Sequence, residues 1–197
     1  METIRMFIAS PISRDIQEAL RGLQETGKTK VSSIRWVKPE KIHLTWIFLG
    51  WTDSGLQAKI EESIREAALP STSFDLSVTG LGVFPRLNAP RVVWAGIREE
   101  KNLTALHRKL STAMASLGFP REERPFRPHL TLGRVEKGAV PDSFIRWVAQ
   151  EKDLEIGRCE IREVVLMKSE LKPGGSVYTP LFTSTFGGSS GETVSSA

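Results

Sequence analysis

Two of the three histidines in this chain share one setting. His43-Leu44-Thr45-Trp46 lies in an apolar run from Ile42 to Leu49 that ends at Gly50. His129-Leu130-Thr131-Leu132 lies in a similar run that follows Pro128 and ends at Gly133. Side chains of a strand alternate between its faces with period two. Each tetrapeptide therefore presents an imidazole beside a hydroxyl on one face and an apolar anchoring pair on the other. Two such pairs, far apart in sequence, can face each other across a cleft. A lone strand histidine is more often a structural residue than a catalyst, and threonine is a common strand former. It is the repetition that carries the signal.

The residue types narrow the chemistry. A two-histidine metal site would need a third protein ligand or a carboxylate partner. Within three residues of either motif the only acidic side chain is Glu40. A serine-type triad lacks its nucleophile elbow. Paired acid–base catalysis remains: one imidazole neutral, taking a proton from an attacking water, the other protonated, giving one to a leaving oxygen. The two threonine hydroxyls can donate to the non-bridging oxygens of a phosphoryl group held between them. Such a mechanism needs no metal and no cofactor. Gly22-Leu-Gln-Glu-Thr-Gly27-Lys28-Thr29 matches the phosphate-binding P-loop pattern literally. That loop requires a strand before it and a helix after it. Here Gly22 falls inside a helical pattern and a strand follows, so the match is rejected.

The elements that must position these residues alternate along the chain. Ile4 to Ala9 reads as a strand, and Ser13 to about Glu25 as an amphipathic helix with Ile16, Ala19, Leu20 and Leu23 at helical spacing. A short strand, Ile34 to Val37, precedes the first motif strand, Lys41 to Leu49. Ser54-Gly-Leu-Gln57 has capping-box form and opens a helix to about Ala68. Strands follow at Phe74 to Val83, with Gly80 and Gly82 permitting a bulge, and at Arg91 to Ile97. A long helix spans Lys101 to Leu117 and stops at Gly118; His107, the third histidine, sits in it as a surface or packing residue. The second motif strand, Pro128 to Val135, precedes a short helix, Asp142 to Gln150. One long strand is expected within Ile156 to Lys168 and a last one over Tyr178 to Phe186. This order predicts an α+β fold rather than a doubly wound parallel sheet, with two loosely similar halves. The domain is expected to span residues 1–186, followed by a disordered Gly/Ser-rich tail over 187–197.

A chain of 197 residues with a net charge of +4 suits a phosphate-bearing partner. The single cysteine, Cys159, excludes an intramolecular disulfide and a cysteine-based zinc site. No apolar run approaches a membrane span, and the N-terminal stretch is too short and acidic for a signal peptide. A cytoplasmic monomer without membrane contact is the expectation.

Several segments resemble the 2H phosphoesterase superfamily, and in particular its LigT-like RNA 2′,3′-cyclic phosphodiesterases. They are Arg35-Trp-Val-Lys-Pro-Glu-Lys-Ile-His-Leu-Thr-Trp-Ile-Phe-Leu-Gly50, Pro90-Arg-Val-Val-Trp94, Arg127-Pro-His-Leu-Thr-Leu-Gly-Arg134 and Ser169-Glu-Leu-Lys-Pro-Gly-Gly-Ser-Val-Tyr178. Trp46 is bulkier than the aliphatic residue common at its place in that family. The resemblance implies a bilobal fold in which two antiparallel-rich sheets form a central cleft with helices on the outside. It implies hydrolysis of an RNA terminal 2′,3′-cyclic phosphate to a 2′-phosphomonoester. A 5′-hydroxyl in place of water gives the 2′-5′ ligation of the family's older description. By the same resemblance His43 is the general acid and His129 the general base; the sequence alone is symmetric in the two. Thr45 and Thr131 hold the phosphate. Arg134 contacts phosphate or is a solvated strand-end residue. Arg127, Arg124 and Arg35 line a basic groove for the RNA end, and Tyr178 stacks on a base, with Trp36 and Phe84 expected as buried aromatics. A non-catalytic nucleotide-binding or RNA-end-binding module stands as the alternative, and a metal-dependent phosphohydrolase as a third reading.

Overall fold

The computed structural model describes residues 2–98, 100–136, 140–173 and 175–187. Its strands are β1 (Thr3–Pro11), β2 (Ile34–Trp36), β3 (His43–Asp53), β4 (Phe74–Phe84), β5 (Val92–Ile97), β6 (His129–Val135), β7 (Glu155–Ile161), β8 (Glu163–Lys172) and β9 (Gly175–Thr185). The helices are α1 (Arg14–Lys30), α2 (Gln57–Ala68), α3 (Lys101–Ser116) and α4 (Asp142–Gln150). The strands run β7-β4-β5-β6-β3-β1-β8-β9, with β2 added to β6, and each pairing is antiparallel. The α+β expectation holds. The two expected sheets are halves of one sheet, and the two motif strands, β3 and β6, are the seam. They are joined by a single residue pair, Leu44 opposite Leu130.

Each half is backed by two helices. α2 and α3 pack together behind the β3-β1-β8-β9 half, and α1 and α4 behind the half containing β4 and β7. α1 leaves β1 and crosses to the other half, and α3 leaves β5 and crosses back. The buried stripe Leu103, Leu106, Leu110 and Met114 of α3 and the buried Ile60 and Ile64 of α2 meet Leu44, Leu130 and Leu132 in one continuous apolar core. α3 ends where Gly118 adopts φ +89° and the Phe119 N–H returns to the Met114 carbonyl.

Several expectations need correction. The stretch read as one strand over Ile156 to Lys168 is two strands, β7 and β8, which pair with β4 and β1 in opposite halves. Arg162 is the break between them, and its carbonyl accepts the Phe186 N–H. β3 passes through Gly50, at φ +70°, and runs to Asp53. The cap after it is Asp53, whose carboxylate accepts the Gly55 N–H, while Gln57 bonds forward to Glu61 rather than back to Ser54. Gly80 does form the expected bulge, at φ +65° between Thr79 and Leu81. Gly187, the first residue of the expected tail, still donates to the Leu69 carbonyl; residues 188–197 lie outside the described residues.

The P-loop-like stretch lies wholly within α1, where its residues serve packing. A Cβ on Gly27 would meet the Trp36 ring at 2.5 Å, so glycine lets β2 lie close to the helix. Gln24 is buried and its amide donates to the carbonyls of Val37, at 2.7 Å, and of Leu132 in β6, at 2.9 Å. Replacing Gln24 by leucine keeps the volume and removes the donor from two backbone carbonyls. The change is expected to destabilise the fold by about 1–3 kcal/mol, read as a lower urea midpoint at unchanged slope.

Candidate active site

An antiparallel pair puts directly opposed side chains on one face of the sheet. With Leu44 opposite Leu130, the register carried one residue either way sets His43 across from Thr131 and Thr45 across from His129. The two leucines are fully buried, while the four polar side chains are half-buried on the opposite face. The expected His-Thr pairs thus meet as a two-by-two array. Lateral pairing stops after that one residue pair, so the sheet splays and the array lies at the bottom of a cleft.

The two halves build the array in the same way. Among the paired residues of β1 and β3, Trp46 is left unopposed between Thr45 and Ile47. Between β5 and β6, Leu132 is left unopposed between Thr131 and Gly133. Each motif strand thus bulges three residues after its histidine. A bulge reverses the alternation beyond it. Phe48 and Arg134, each five residues after a histidine, consequently come onto the cleft face. Trp46 is buried behind the array and its indole N–H donates to Ser10 Oγ at 2.8 Å. The bulky residue is accommodated by that hydrogen bond and by stacking on Phe126.

The histidines are held alike. His43 Nδ1 lies 2.8 Å from the Lys41 carbonyl, and His129 Nδ1 lies 2.8 Å from the Arg127 carbonyl. A carbonyl only accepts, so each Nδ1 carries its proton and Nε2 is the basic nitrogen. Burial lowers the pKa of both imidazoles. The carbonyl bonds oppose that shift. The positive charge of His129 lowers His43 further, and that of Arg134 lowers His129 further. The two imidazoles are therefore electrostatically coupled across the cleft.

Two cavities flank the array and share Thr45 and Phe48. On the His43 side a cavity of about 430 Å³ is lined by Thr131, Arg134, Arg35, Arg5, Lys41 and Tyr178. Tyr178 stands edge-on to His43, with ring centroids 5.3 Å apart, and Phe7 lies 5.0 Å from the same imidazole. On the His129 side a cavity of about 470 Å³ is lined by Phe84, Phe126, Arg124 and Arg127. Arg127 and Arg134 thus fall on opposite sides of the array, although both are near the second motif in sequence. Phe84, expected as a buried aromatic, stands edge-on to His129 at 5.1 Å. Trp36 lies away from the array, against Gly27 and Gly133. His107 packs flat on Phe126 at 3.8 Å and is not part of the array. Among the described residues no group of three His, Cys, Asp or Glu side chains is placed to hold a metal ion.

A family model described as the 2′-5′ RNA ligase superfamily matches residues 12–173. The chain belongs to this superfamily. The resemblance to 2H phosphoesterases read from the motifs is borne out by that match. The chain is 32% identical over 178 residues to an RNA 2′,3′-cyclic phosphodiesterase of Methanothermobacter thermautotrophicus, covering 90% of this chain and 96% of that protein. It is 34% identical over 179 residues to the protein of the same name from Archaeoglobus fulgidus, covering 90% and 98%. The crystal structure of TT0787 from Thermus thermophilus superposes with a TM-score of 0.81 at 27% identity, covering 94% of this chain and 99% of that one.

Within this superfamily member the sequence reading missed Phe7, Arg5, Lys41, Phe48 and Phe126 as site residues. Phe7, Arg5 and Phe126 lie outside the motif runs. Lys41 contributes a backbone carbonyl, which no residue type announces. The coupling between the imidazoles has a direct readout. His129→Gln is expected to raise the pKa of His43, and Arg134→Gln to raise that of His129. In both cases a neighbouring positive charge is removed. Titration of the imidazole C–H resonances by NMR measures both, and unmoved values would contradict the coupling.

Proposed function

We propose that the chain is a hydrolase that opens RNA terminal 2′,3′-cyclic phosphates to 2′-phosphomonoesters. The observation that carries the proposal is the array itself: two Nδ1-protonated imidazoles and two hydroxyls, converging from two strands onto one cleft face. His129 Nε2 takes a proton from a water that attacks phosphorus. The bond from phosphorus to the 3′-oxygen breaks, and His43 Nε2 gives that oxygen its proton. The product carries a 3′-hydroxyl and a 2′-phosphate, and the two imidazoles have exchanged protonation states. Thr45 and Thr131 donate to the non-bridging oxygens, and Arg134 supplies positive charge where negative charge collects. Attack and departure lie in line, so nucleophile and leaving oxygen occupy opposite sides of the phosphorus. The His129-side cavity, with Arg127, takes the nucleophile, and a 5′-hydroxyl there in place of water would give 2′-5′ ligation. Tyr178, against His43, packs on the terminal nucleoside. Residues 1–186 act as one catalytic unit, a cytoplasmic monomer that uses no cofactor. Among the described residues no helix is long and apolar enough to cross a membrane.

The test is turnover of an oligonucleotide ending in a 2′,3′-cyclic phosphate, with excess EDTA present. A 2′-phosphate product is expected, with losses of about 10²–10⁴ in kcat for His43→Ala and His129→Ala. Thr45→Val and Thr131→Val are expected to lose about 10–10³. Binding of the oligonucleotide without turnover would install the binding-module reading instead, and loss of turnover in EDTA the metal-dependent one.

The pH dependence follows from the two lowered pKa values. The productive form has one imidazole protonated and the other neutral, and kcat/KM reports the free protein. Both imidazoles lie below 6.5 there, so the bell of kcat/KM is expected to centre below pH 6.5. An anionic phosphate bound between them favours the imidazolium form, so the kcat profile is expected to sit at higher pH. Rate profiles at limiting and saturating substrate decide the point.

A further inference from the structure

The concave face of the β3-β1-β8-β9 half extends well beyond the catalytic array, and its side chains are unusual for a solvated sheet. Trp51 is 71% exposed and Phe48 is 63% exposed, both on β3. Their direction is fixed by register. Trp51 is opposite Arg5, and Phe48 is opposite Phe7. Arg5 in turn donates to Ser169 Oγ at 3.3 Å, and Ser169 is opposite Tyr178 on β9. Trp51, Arg5, Ser169 and Tyr178 therefore form one row across four strands, ending at the ring that packs on His43. Phe7 is buried in the floor beside this row, with Phe48 at 6.3 Å and Tyr178 at 5.1 Å.

The charge lining the cavity next to this row has one sign. The His43-side cavity is lined by Arg5, Arg35, Lys41 and Arg134 and by no aspartate or glutamate. Of these only Arg35 forms an ion pair among the described residues, an exposed one with Glu136 at 3.8 Å. A mononucleotide held at His43 and Thr131 would leave Trp51, which lies outside that cavity, without a role. Exposed aromatic rings interleaved with uncompensated cations match successive bases and phosphates of a single strand.

We infer that the face carrying Phe48, Trp51 and Arg5 is a docking track for the single-stranded RNA immediately 5′ of the cyclic phosphate. The inference rests on the hydrolase reading, which places the terminal 3′-oxygen at His43. A 2′,3′-cyclic phosphate terminates its strand, so the RNA leads away from it only in the 5′ direction. Bases of that strand stack on Phe48 and Trp51, and Arg5 meets the phosphate between them. The preferred substrate is accordingly a single-stranded RNA end rather than a cyclic mononucleotide, and the track tolerates any sequence because every base has a stacking face.

Trp51 makes the clean test, because it lies outside the catalytic array and its side chain is largely solvent-exposed. The comparison is kcat/KM for cytidine 2′,3′-cyclic phosphate against a tetranucleotide ending in the same cyclic phosphate, for wild type, Trp51→Ala and Trp51→Phe. Wild type is expected to favour the tetranucleotide. Trp51→Ala should lose roughly 5- to 100-fold on the tetranucleotide alone, and Trp51→Phe should keep most of the advantage. A blunt duplex bearing the same end is expected to forfeit the advantage, since its bases are already stacked. Equal use of mononucleotide and tetranucleotide by wild type, an unchanged preference in Trp51→Ala, or equal use of the duplex would each overturn the track and leave the hydrolase reading intact. Binding is read separately by quenching of tryptophan fluorescence with a tetranucleotide ending in a 2′-phosphate. Quenching that survives Trp51→Phe undiminished overturns the track even if no substrate is turned over. Failure of turnover alone falls on the hydrolase reading.

Discussion

The site depends on one lateral contact, the Leu44–Leu130 pair. The two motif strands belong to halves of one sheet that otherwise have separate strands, separate helix pairs and separate edges. They pair once, and that point of contact fixes the relative position of the four array side chains. Because the register is antiparallel, the contact carries each tetrapeptide onto the other with histidine facing threonine. Burial of the two leucines on the helix side holds the polar side chains to the open side. A one-residue slip would invert both sets, which buried leucines in a continuous apolar core forbid. Core packing and site geometry are thus the same constraint seen from opposite faces.

The bulges extend this logic outward. An unbroken strand after Thr45 would have turned Ile47 and Leu49 into the cleft and Phe48 into the core. The bulge at Trp46 reverses that, and the one at Leu132 likewise brings Arg134 rather than Gly133 to the cleft. Each bulge is held from behind. Trp46 is tied to Ser10, while the Leu132 carbonyl accepts from the Val37 N–H and from Gln24. Gln24 reaches β6 because α1 crosses to the half opposite its preceding strand. The crossed helix α1 therefore does more than cover the sheet: it holds an irregularity that selects which side chains reach the cleft.

This explains what was legible in the sequence and what was not. The motif strands and the α3 stripe were readable because period-two and period-3.6 patterns survive in residue type, and the paired histidines because they repeat. The four array residues came together as that repetition suggested. Phe48 was not readable as a site residue, since nothing in Ile47-Phe48-Leu49 marks a reversal of alternation. Arg134 was flagged only by its place after a motif, and its face follows from the same hidden bulge. The division at Arg162 was missed because β7 and the apolar run that opens β8 follow each other with one residue between them. The chain changes halves between them without a glycine or proline to mark the step. The literal P-loop match had its opposite lesson: Gly27 and Gln24 matter, but for the approach of Trp36 and the anchoring of β6.

The near-symmetry of the halves also bears on the different roles proposed for two chemically identical imidazoles. Both donate Nδ1–H to a carbonyl two residues earlier, and both are lowered by burial, so local construction does not distinguish them. Their surroundings do. His43 sits between Phe7 and Tyr178, beside the cation-lined cavity. His129 stands against Phe84 and Trp94, beside a cavity lined by Phe84 and Phe126 as well as by Arg124, Arg127 and Glu122. At position five after the histidine, one half offers an exposed phenyl ring and the other a guanidinium. Both project into the cleft from opposite strands of the seam. The two halves thereby bring a guanidinium and an aromatic ring to one cleft face. In the proposed reaction, polarity then arises from how the substrate lies in the cleft, with the histidines taking acid and base roles by position rather than by intrinsic difference.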